Sequence, residues 1–130
     1  MPEAITVMAF DYGTRRIGIA IGNSLTQTSQ ALPVITQSQE GPRFEVFQML
    51  LADWQPQRLA VGLPTHPDGA EHDNTVRARK FGRQLHGRFN LQVFEVDERY
   101  STTEALSQGA KDADAASACI ILNQFFAELP

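Results

Sequence analysis

Three acidic residues that are far apart in the chain occupy positions from which they could share a metal ion. Asp11 follows the apolar run Val7–Phe10, which is typical of a strand buried on both faces. Glu98 follows another apolar run, and Asp114 precedes a long apolar segment. Because clustered carboxylates repel one another, they need a cation, and Mg²⁺ prefers oxygen ligands. Two such ions, about 3.5–4 Å apart, bind the attacking and leaving oxygens of a phosphodiester, so the pattern favours phosphodiester hydrolysis.

Each of these acids also has an explanation that involves no catalysis. Asp11 begins an Asp-x-Gly sequence, which suits a turn. Glu98 could form an ion pair with the adjacent Arg99. Asp114 could cap a helix or interact with the helix dipole, and Asp112 competes for that role. A catalytic role therefore requires the three acids to meet at one edge of a sheet.

Other kinds of catalytic and binding site lack their sequence patterns. The chain has no GxxxxGK[ST] phosphate loop, no GxGxxG sequence and no nucleophile-elbow pattern. Cys119 is the single cysteine, which excludes an internal disulfide and a cysteine-ligated zinc site. The three histidines, His66, His72 and His86, do not have the spacing of metal ligands.

Composition indicates one globular domain that spans residues 1–130. The apolar share of 42% and the charged share of 20% are ordinary for a chain that can bury a core. The first residues have no basic leader, and no apolar run approaches membrane-spanning length, so we expect a cytoplasmic protein that does not contact membranes. The apolar neighbours of Cys119 predict a buried, reduced thiol.

Positive charge is concentrated in one part of an acidic chain. The formal net charge is −4, but residues 74–94 contain no acid and five of the eleven lysines and arginines. Those five are Arg77, Arg79, Lys80, Arg83 and Arg88. They could form a solvated helix face, or they could contact the phosphates of a nucleic acid.

The pattern of apolar residues predicts three strands first. Val7–Phe10 and Ile17–Gly22 form a hairpin that turns at Gly13, and Ala31–Thr36 follows after a polar loop. Pro33 lacks a backbone donor, so the third strand should lie at the edge of the sheet. These three strands should form an antiparallel meander.

Helices and strands then alternate. We expect helices at 43–54, 74–89, from 101, where a capping box begins, and at 114–129, with strands at 59–63 and 91–96. The buried stripe of the first helix should include Trp54, and that of the last should include Cys119, Ile120 and Asn123. This order predicts an α/β fold with a mixed five-stranded sheet, three strands antiparallel and two parallel, flanked by helices.

Five motifs in order resemble the YqgF family, whose members are described as pre-16S rRNA nucleases or Holliday-junction-resolvase-like proteins. They are FDYGTRRIGIAIG, VGLPTHPDG, RARKFGRQL, VDERYSTTEA and DAASACIIL. The resemblance covers nearly the whole chain and implies a ribonuclease-H-like fold. It also implies a metal-dependent nuclease, with one or two Mg²⁺ or Mn²⁺ ions, that processes the precursor of small-subunit ribosomal RNA.

The resemblance assigns roles to individual residues. The catalytic and metal-binding acids would be Asp11, Glu98 and Asp114, and the substrate-binding residues would be Arg15, Arg77 and Arg99. The partner would be structured nucleic acid, such as precursor rRNA or the pre-ribosome, bound by a monomer or weak dimer. One departure is the segment between Ala105 and Asp114, which is shorter than in the family and leaves any substrate contact there in doubt.

Two alternative functions stay open from the sequence, and a third is disfavoured by its length. A Holliday-junction-type DNA resolvase would use the same acids on another substrate. A non-catalytic ribosome-assembly module would bind nucleic acid without cleaving it. The Asp-x-Gly-Thr sequence also resembles the first phosphate loop of actin-like ATPases, but those proteins need a second comparable domain, for which this length leaves no room.

Overall fold

A computed structural model describes residues 5–13, 15–37, 44–63, 73–97 and 113–128. The predicted helix from residue 101 lies outside these ranges. The described elements are β1 (Thr6–Tyr12), β2 (Arg16–Asn23), β3 (Thr28–Thr36), α1 (Phe44–Trp54), β4 (Arg58–Leu63), α2 (Asp73–Phe89), β5 (Gln92–Asp97) and α3 (Ala113–Glu128). None of these three helices combines the length and the apolar character needed to cross a membrane.

The five described strands form one mixed sheet in the order β3-β2-β1-β4-β5. β1, β2 and β3 are antiparallel, whereas β1, β4 and β5 are parallel. The central strand is β1, where Ala9 pairs with Ala20 on one side and with Ala60 on the other. The predicted meander followed by two parallel strands is therefore confirmed.

The third strand is longer than the sequence pattern predicts. It begins at Thr28 rather than Ala31, because the chain reverses within the short turn at residues 24–27. Gln27 closes this turn with a positive φ of 51°. β3 occupies the edge of the sheet as predicted, and Pro33 is exposed there, so its missing backbone donor costs no ladder bond.

Each face of the sheet carries its own hydrophobic core. On one face, α1 and α2 pack against Met8 and Phe10 of β1. On the other face, α3 packs against Val7 and Ala9 of the same strand. Because side chains alternate along a strand, odd-numbered residues of β1 face α3 and even-numbered residues face α1 and α2.

The buried sides of two helices differ from the sequence prediction. In α3, Ile121 and Leu122 are fully buried, whereas Asn123 is exposed and Cys119 is only half-buried. This helix is apolar on several sides, so periodicity alone selected the wrong stripe. Burial raises the pKa of the Cys119 thiol, and a hydrogen bond with Ser29 acts in the opposite direction. Trp54 ends α1 with 40% of its surface exposed instead of joining the core.

Close packing of α3 on β2 depends on Gly22. A Cβ atom at this position would lie 2.8 Å from Leu122 and 3.2 Å from Phe126, and it would also collide with the backbone carbonyl of Thr28. We therefore expect Gly22→Ala to lower the free energy of unfolding by about 1–3 kcal/mol, the usual cost of overpacking. Urea unfolding followed by circular dichroism measures this change.

Gly87 provides the matched control for that substitution. It lies in α2, and a Cβ atom at this position would have no other atom within 4 Å. Gly87→Ala should raise stability by up to about 1 kcal/mol, because alanine favours a helix over glycine. Equal effects of the two substitutions would contradict the close packing of α3 on the sheet.

Candidate active site

Asp11 lies near the carboxyl end of the central strand, one residue before β1 ends at Tyr12. Its side chain is half-buried, and by the alternation of β1 it lies on the face that packs against α3. Its neighbours across the sheet are Gly18 on β2 and Gly62 on β4. Neither glycine has a side chain, so the two adjacent strands place no side chain beside this carboxylate, although both glycines are buried.

An aromatic cluster on the opposite face fixes the orientation of Asp11. The Phe10 and Tyr12 rings lie 5.7 Å and 5.1 Å from the Phe81 ring of α2, measured between centroids. Phe10 also contacts the Phe47 ring of α1 at 5.8 Å. Because both neighbours of Asp11 in the chain pack against α1 and α2, the strand must direct Asp11 toward α3.

The parallel strands bring the chain segment before Glu98 to the same edge of the sheet. Asp11 pairs with Gly62, and Gly62 pairs with Val96 of β5. The last described residue of β5 is Asp97, so Glu98 and Arg99 lie outside the described residues. The backbone that leads into Glu98 is thus two strands from Asp11, or about 10 Å at the usual strand spacing.

Asp114 is the second residue of α3, and its side chain is outside the described part of the structure. The helix that it opens packs against Val7 and Ala9, on the face of β1 that carries Asp11. The prediction that Asp114 begins a terminal helix agrees with this placement. Its approach to Asp11 stays a prediction.

Of the three predicted metal ligands, the structure describes the side chain of Asp11. Among the side chains that the structure describes, no three His, Cys, Asp or Glu residues form a group able to hold a metal ion. Two of the three predicted ligands, Glu98 and Asp114, fall outside those side chains. The Asp11 carboxylate is a hard oxygen donor at the carboxyl end of a central strand, and it fits a divalent cation in chemistry and location.

The hairpin after Asp11 is held by a residue that the sequence pattern did not single out. The Gln37 backbone N–H donates to the carbonyl oxygen of Arg15 at 2.7 Å, and its side-chain Nε2 donates to the carbonyl oxygen of Gly13. Arg15 itself is exposed. Gln37 follows the end of β3, so only the three-stranded meander brings it beside the turn. Its effect is to fix the backbone from which the Arg15 side chain extends.

Arg77 lies on the exposed side of α2, in the half of the helix nearest the carboxyl edge. Four residues later, Phe81 contacts the Tyr12 ring at the end of β1, whereas His86 near the helix end contacts the Leu91 carbonyl oxygen before β5. The helix therefore runs back from the carboxyl edge, as a crossover between parallel strands must. This places Arg77 at the same edge of the sheet as Asp11, on the other face.

Comparison with known proteins identifies the family of this chain. A family model described as RuvX, Holliday junction resolvase, matches residues 5–128. The chain belongs to this family. The sequence motifs resemble the same family under the name YqgF. The identification made from those motifs is therefore confirmed.

Relatives over nearly the full chain carry consistent names. A protein named "Putative pre-16S rRNA nuclease" from Polaromonas sp. is 57% identical over 125 residues, covering 96% of this chain and 90% of its own. One of the same name from Albidiferax ferrireducens is 59% identical over 121 residues, covering 92% of this chain and 76% of its own. The prediction of a phosphodiester hydrolase agrees with these names and with the family.

Among solved structures, RuvC of Thermus thermophilus in complex with a Holliday junction substrate has a similar fold. The TM-score is 0.61, and 94% of each chain is covered at 16% sequence identity. RuvC has a ribonuclease-H-like fold, so the predicted fold class is confirmed. At this level of identity the similarity concerns the fold.

The hydrogen bonds of Gln37 lead to a stability prediction. In Gln37→Glu, the Nε2 donor becomes an acceptor that faces the Gly13 carbonyl oxygen, so we expect a loss of about 1–3 kcal/mol. The control is Gln30→Glu, an exposed position on β3, with an expected change within about 0.5 kcal/mol. Urea unfolding measures both, and equal losses would exclude the bridging role of Gln37.

Proposed function

We propose that this chain is a metal-dependent nuclease that hydrolyses phosphodiester bonds and processes the end of pre-16S rRNA during ribosome biogenesis. The observation that carries the proposal is the Asp11 carboxylate, which projects between two glycines near the end of the central parallel strand. Membership of the RuvX family and the names of its relatives support the same activity. A precursor-rRNA substrate implies a cytoplasmic location.

In this proposal, Asp11, Glu98 and Asp114 together hold one or two Mg²⁺ or Mn²⁺ ions. Such ions would activate a water molecule and neutralise charge on the reacting phosphate. Asp11 contributes a carboxylate on a strand that is anchored by rings on its other face, which fixes the backbone that carries it. Glu98 would extend from the end of β5, and Asp114 from the first turn of α3.

Three arginines would bind the phosphates on either side of the reacting bond. Arg15 extends from the hairpin that Gln37 holds, and Arg77 lies exposed on α2 near the same edge. Arg99 directly follows Glu98 in the sequence. Guanidinium groups match phosphate oxygens in geometry and charge, and their contacts position the substrate without reading its sequence.

A second candidate substrate is a DNA junction. The family description, Holliday junction resolvase, favours it, and the same acids would serve it. Matched RNA and DNA substrates distinguish the two, since an RNA-processing enzyme should cleave a pre-16S rRNA end faster than a four-way DNA junction of equal length. A non-catalytic assembly module would bind either and cleave neither.

Asp11→Asn tests the catalytic proposal. We expect at least a hundredfold loss of Mg²⁺-dependent cleavage, a magnitude of about 3 kcal/mol that is typical for loss of electrostatic stabilisation in an active site. The thermal unfolding midpoint should change little, because the substitution keeps the side-chain shape. Gel assays on labelled precursor rRNA, with Mg²⁺ varied, measure the rate.

Asp53→Asn is the matched control for that experiment. Asp53 is an exposed residue of α1, outside the proposed site, and the substitution makes the same chemical change. Cleavage by this variant should equal that of the unchanged chain. Full activity in a pure preparation of Asp11→Asn would contradict the proposal.

Arg77→Gln tests the proposed phosphate contact near the carboxyl edge. Losing one phosphate contact should weaken RNA binding at low salt. A plot of the logarithm of the association constant against the logarithm of salt concentration should become shallower, with a slope smaller in magnitude by about 1. The control is Arg58→Gln at the start of β4, the opposite edge of the sheet, where the slope should not change. Titration by fluorescence anisotropy at several salt concentrations measures the slopes, and identical slopes would remove Arg77 from the substrate-binding set.

A further inference from the structure

A groove of about 810 Å³ lies between α2 and the edge strand β5, on the face of the sheet opposite Asp11. Its floor is apolar: Val93 is partly exposed there, and Val61, Ala78 and Gly82 are buried beneath it. Gly82 lets α2 pack closely on the sheet beside the groove, because a Cβ atom at this position would already contact Val93 at 3.4 Å and Val61 at 3.6 Å. The space is large enough for a nucleotide-sized ligand.

The helical side of this groove is basic. Arg79, Arg83 and His86 line it from α2, about one turn apart from one another. On the opposite side, Glu95 forms an ion pair with Arg79 at 3.2 Å, which neutralises the one acid among the lining residues. Within the described residues no partner pairs with Arg83, which leaves one guanidinium available to an anion.

Charge complementarity favours nucleic acid over an acidic protein partner. Residues 74–94 carry five of the eleven lysines and arginines without an acid, and the rest of the chain carries a formal charge of −9. The acidic remainder repels any polyanion, but a flexible nucleic-acid strand can follow the basic helix alone, whereas a folded acidic protein would also approach the acidic surface. An apolar floor beside a cation is suited to a base and its phosphate in a single strand.

We propose that the groove between α2 and β5 binds a single-stranded segment of the RNA substrate, with a base against the exposed part of Val93 and a phosphate on Arg83. This inference rests on the proposed nuclease function. His86 donates from Nδ1 to the Leu91 carbonyl oxygen at 2.9 Å, so the neutral ring offers Nε2 as an acceptor. A ribose 2′-hydroxyl is a donor that Nε2 can accept and that DNA lacks.

The groove lies close enough to the proposed active site for one RNA strand to reach both. Its wall strand, β5, is two strands from β1, or about 10 Å. Along α2, Arg83 lies six residues beyond Arg77, or about 9 Å farther from the carboxyl edge. An RNA strand that passes from the carboxyl edge of the sheet along α2 would therefore enter the groove a few nucleotides from the reacting phosphate.

Anisotropy titrations with single-stranded RNA of two lengths test this inference, in an Asp11→Asn chain so that the probe stays intact. We expect Arg83→Gln to weaken binding of an RNA of about twelve nucleotides by about tenfold at low salt, with little effect on one of about four. The control is Arg88→Gln on the same helix. The Arg88 guanidinium lies 4.2 Å from the centre of the Phe44 ring and outside the groove, so both lengths should bind almost as before.

Gly82→Met fills the floor without changing charge, and Gly82→Ala, which adds only a Cβ, shows whether the helix tolerates a side chain there. Filling the floor should weaken binding of the longer RNA only. It should also reduce the preference of the protein for that RNA over DNA of the same sequence. If either variant fails to fold, the RNA affinity of Arg83→Gln and the ratio of RNA affinity to DNA affinity still test the inference. Unchanged affinity in Arg83→Gln would overturn the inference, as would binding of a glutamate-rich peptide that depends on Arg83 while RNA binding does not.

The inference and the nuclease proposal can fail separately. If the chain with Asp11 intact cleaves the short RNA, and Arg83→Gln binds the long RNA unchanged, the groove assignment is wrong and the nuclease proposal stands. If Arg83 controls binding of the long RNA but no RNA or DNA is cleaved, the groove assignment stands and the nuclease proposal is wrong.

Discussion

The packing of aromatic rings on one face of β1 is the constraint on which the site depends. Phe10 is fully buried between α1 and α2, and Tyr12 contacts Phe81 of α2. Since side chains alternate along a strand, these contacts leave the other face for Asp11. A slip of one residue in β1 would bury the carboxylate in the aromatic core, at a cost far greater than that of any single surface contact.

Small residues on the second face complete the arrangement. Ala9, Ala20 and Ala60 are fully buried under α3, and Gly18 and Gly62 flank Asp11 in the next row of that face. Small side chains let the helix lie close to the sheet, and the two glycines add no side chain next to the carboxylate. The same face of the sheet therefore carries a tightly packed core at its middle and a half-buried carboxylate near its edge.

Opposite charges are separated by the sheet itself. Asp11 lies on the α3 face, whereas the arginines of α2 lie on the other side, and the two meet only at the carboxyl edge. A phosphodiester needs both, because its charge must be neutralised while a nucleophile attacks it.

The sequence by itself determined the order of the elements, the central position of Asp11 and the family, because buried strands and family motifs are local in the chain. It could not select the buried side of α3, where Asn123 is exposed, since an apolar helix has no unique stripe until a sheet packs against it. Only the tertiary structure revealed the Gln37 bridge and the groove over Gly82. Both depend on residues that are distant in sequence and become neighbours when strands pair and α2 crosses back over them.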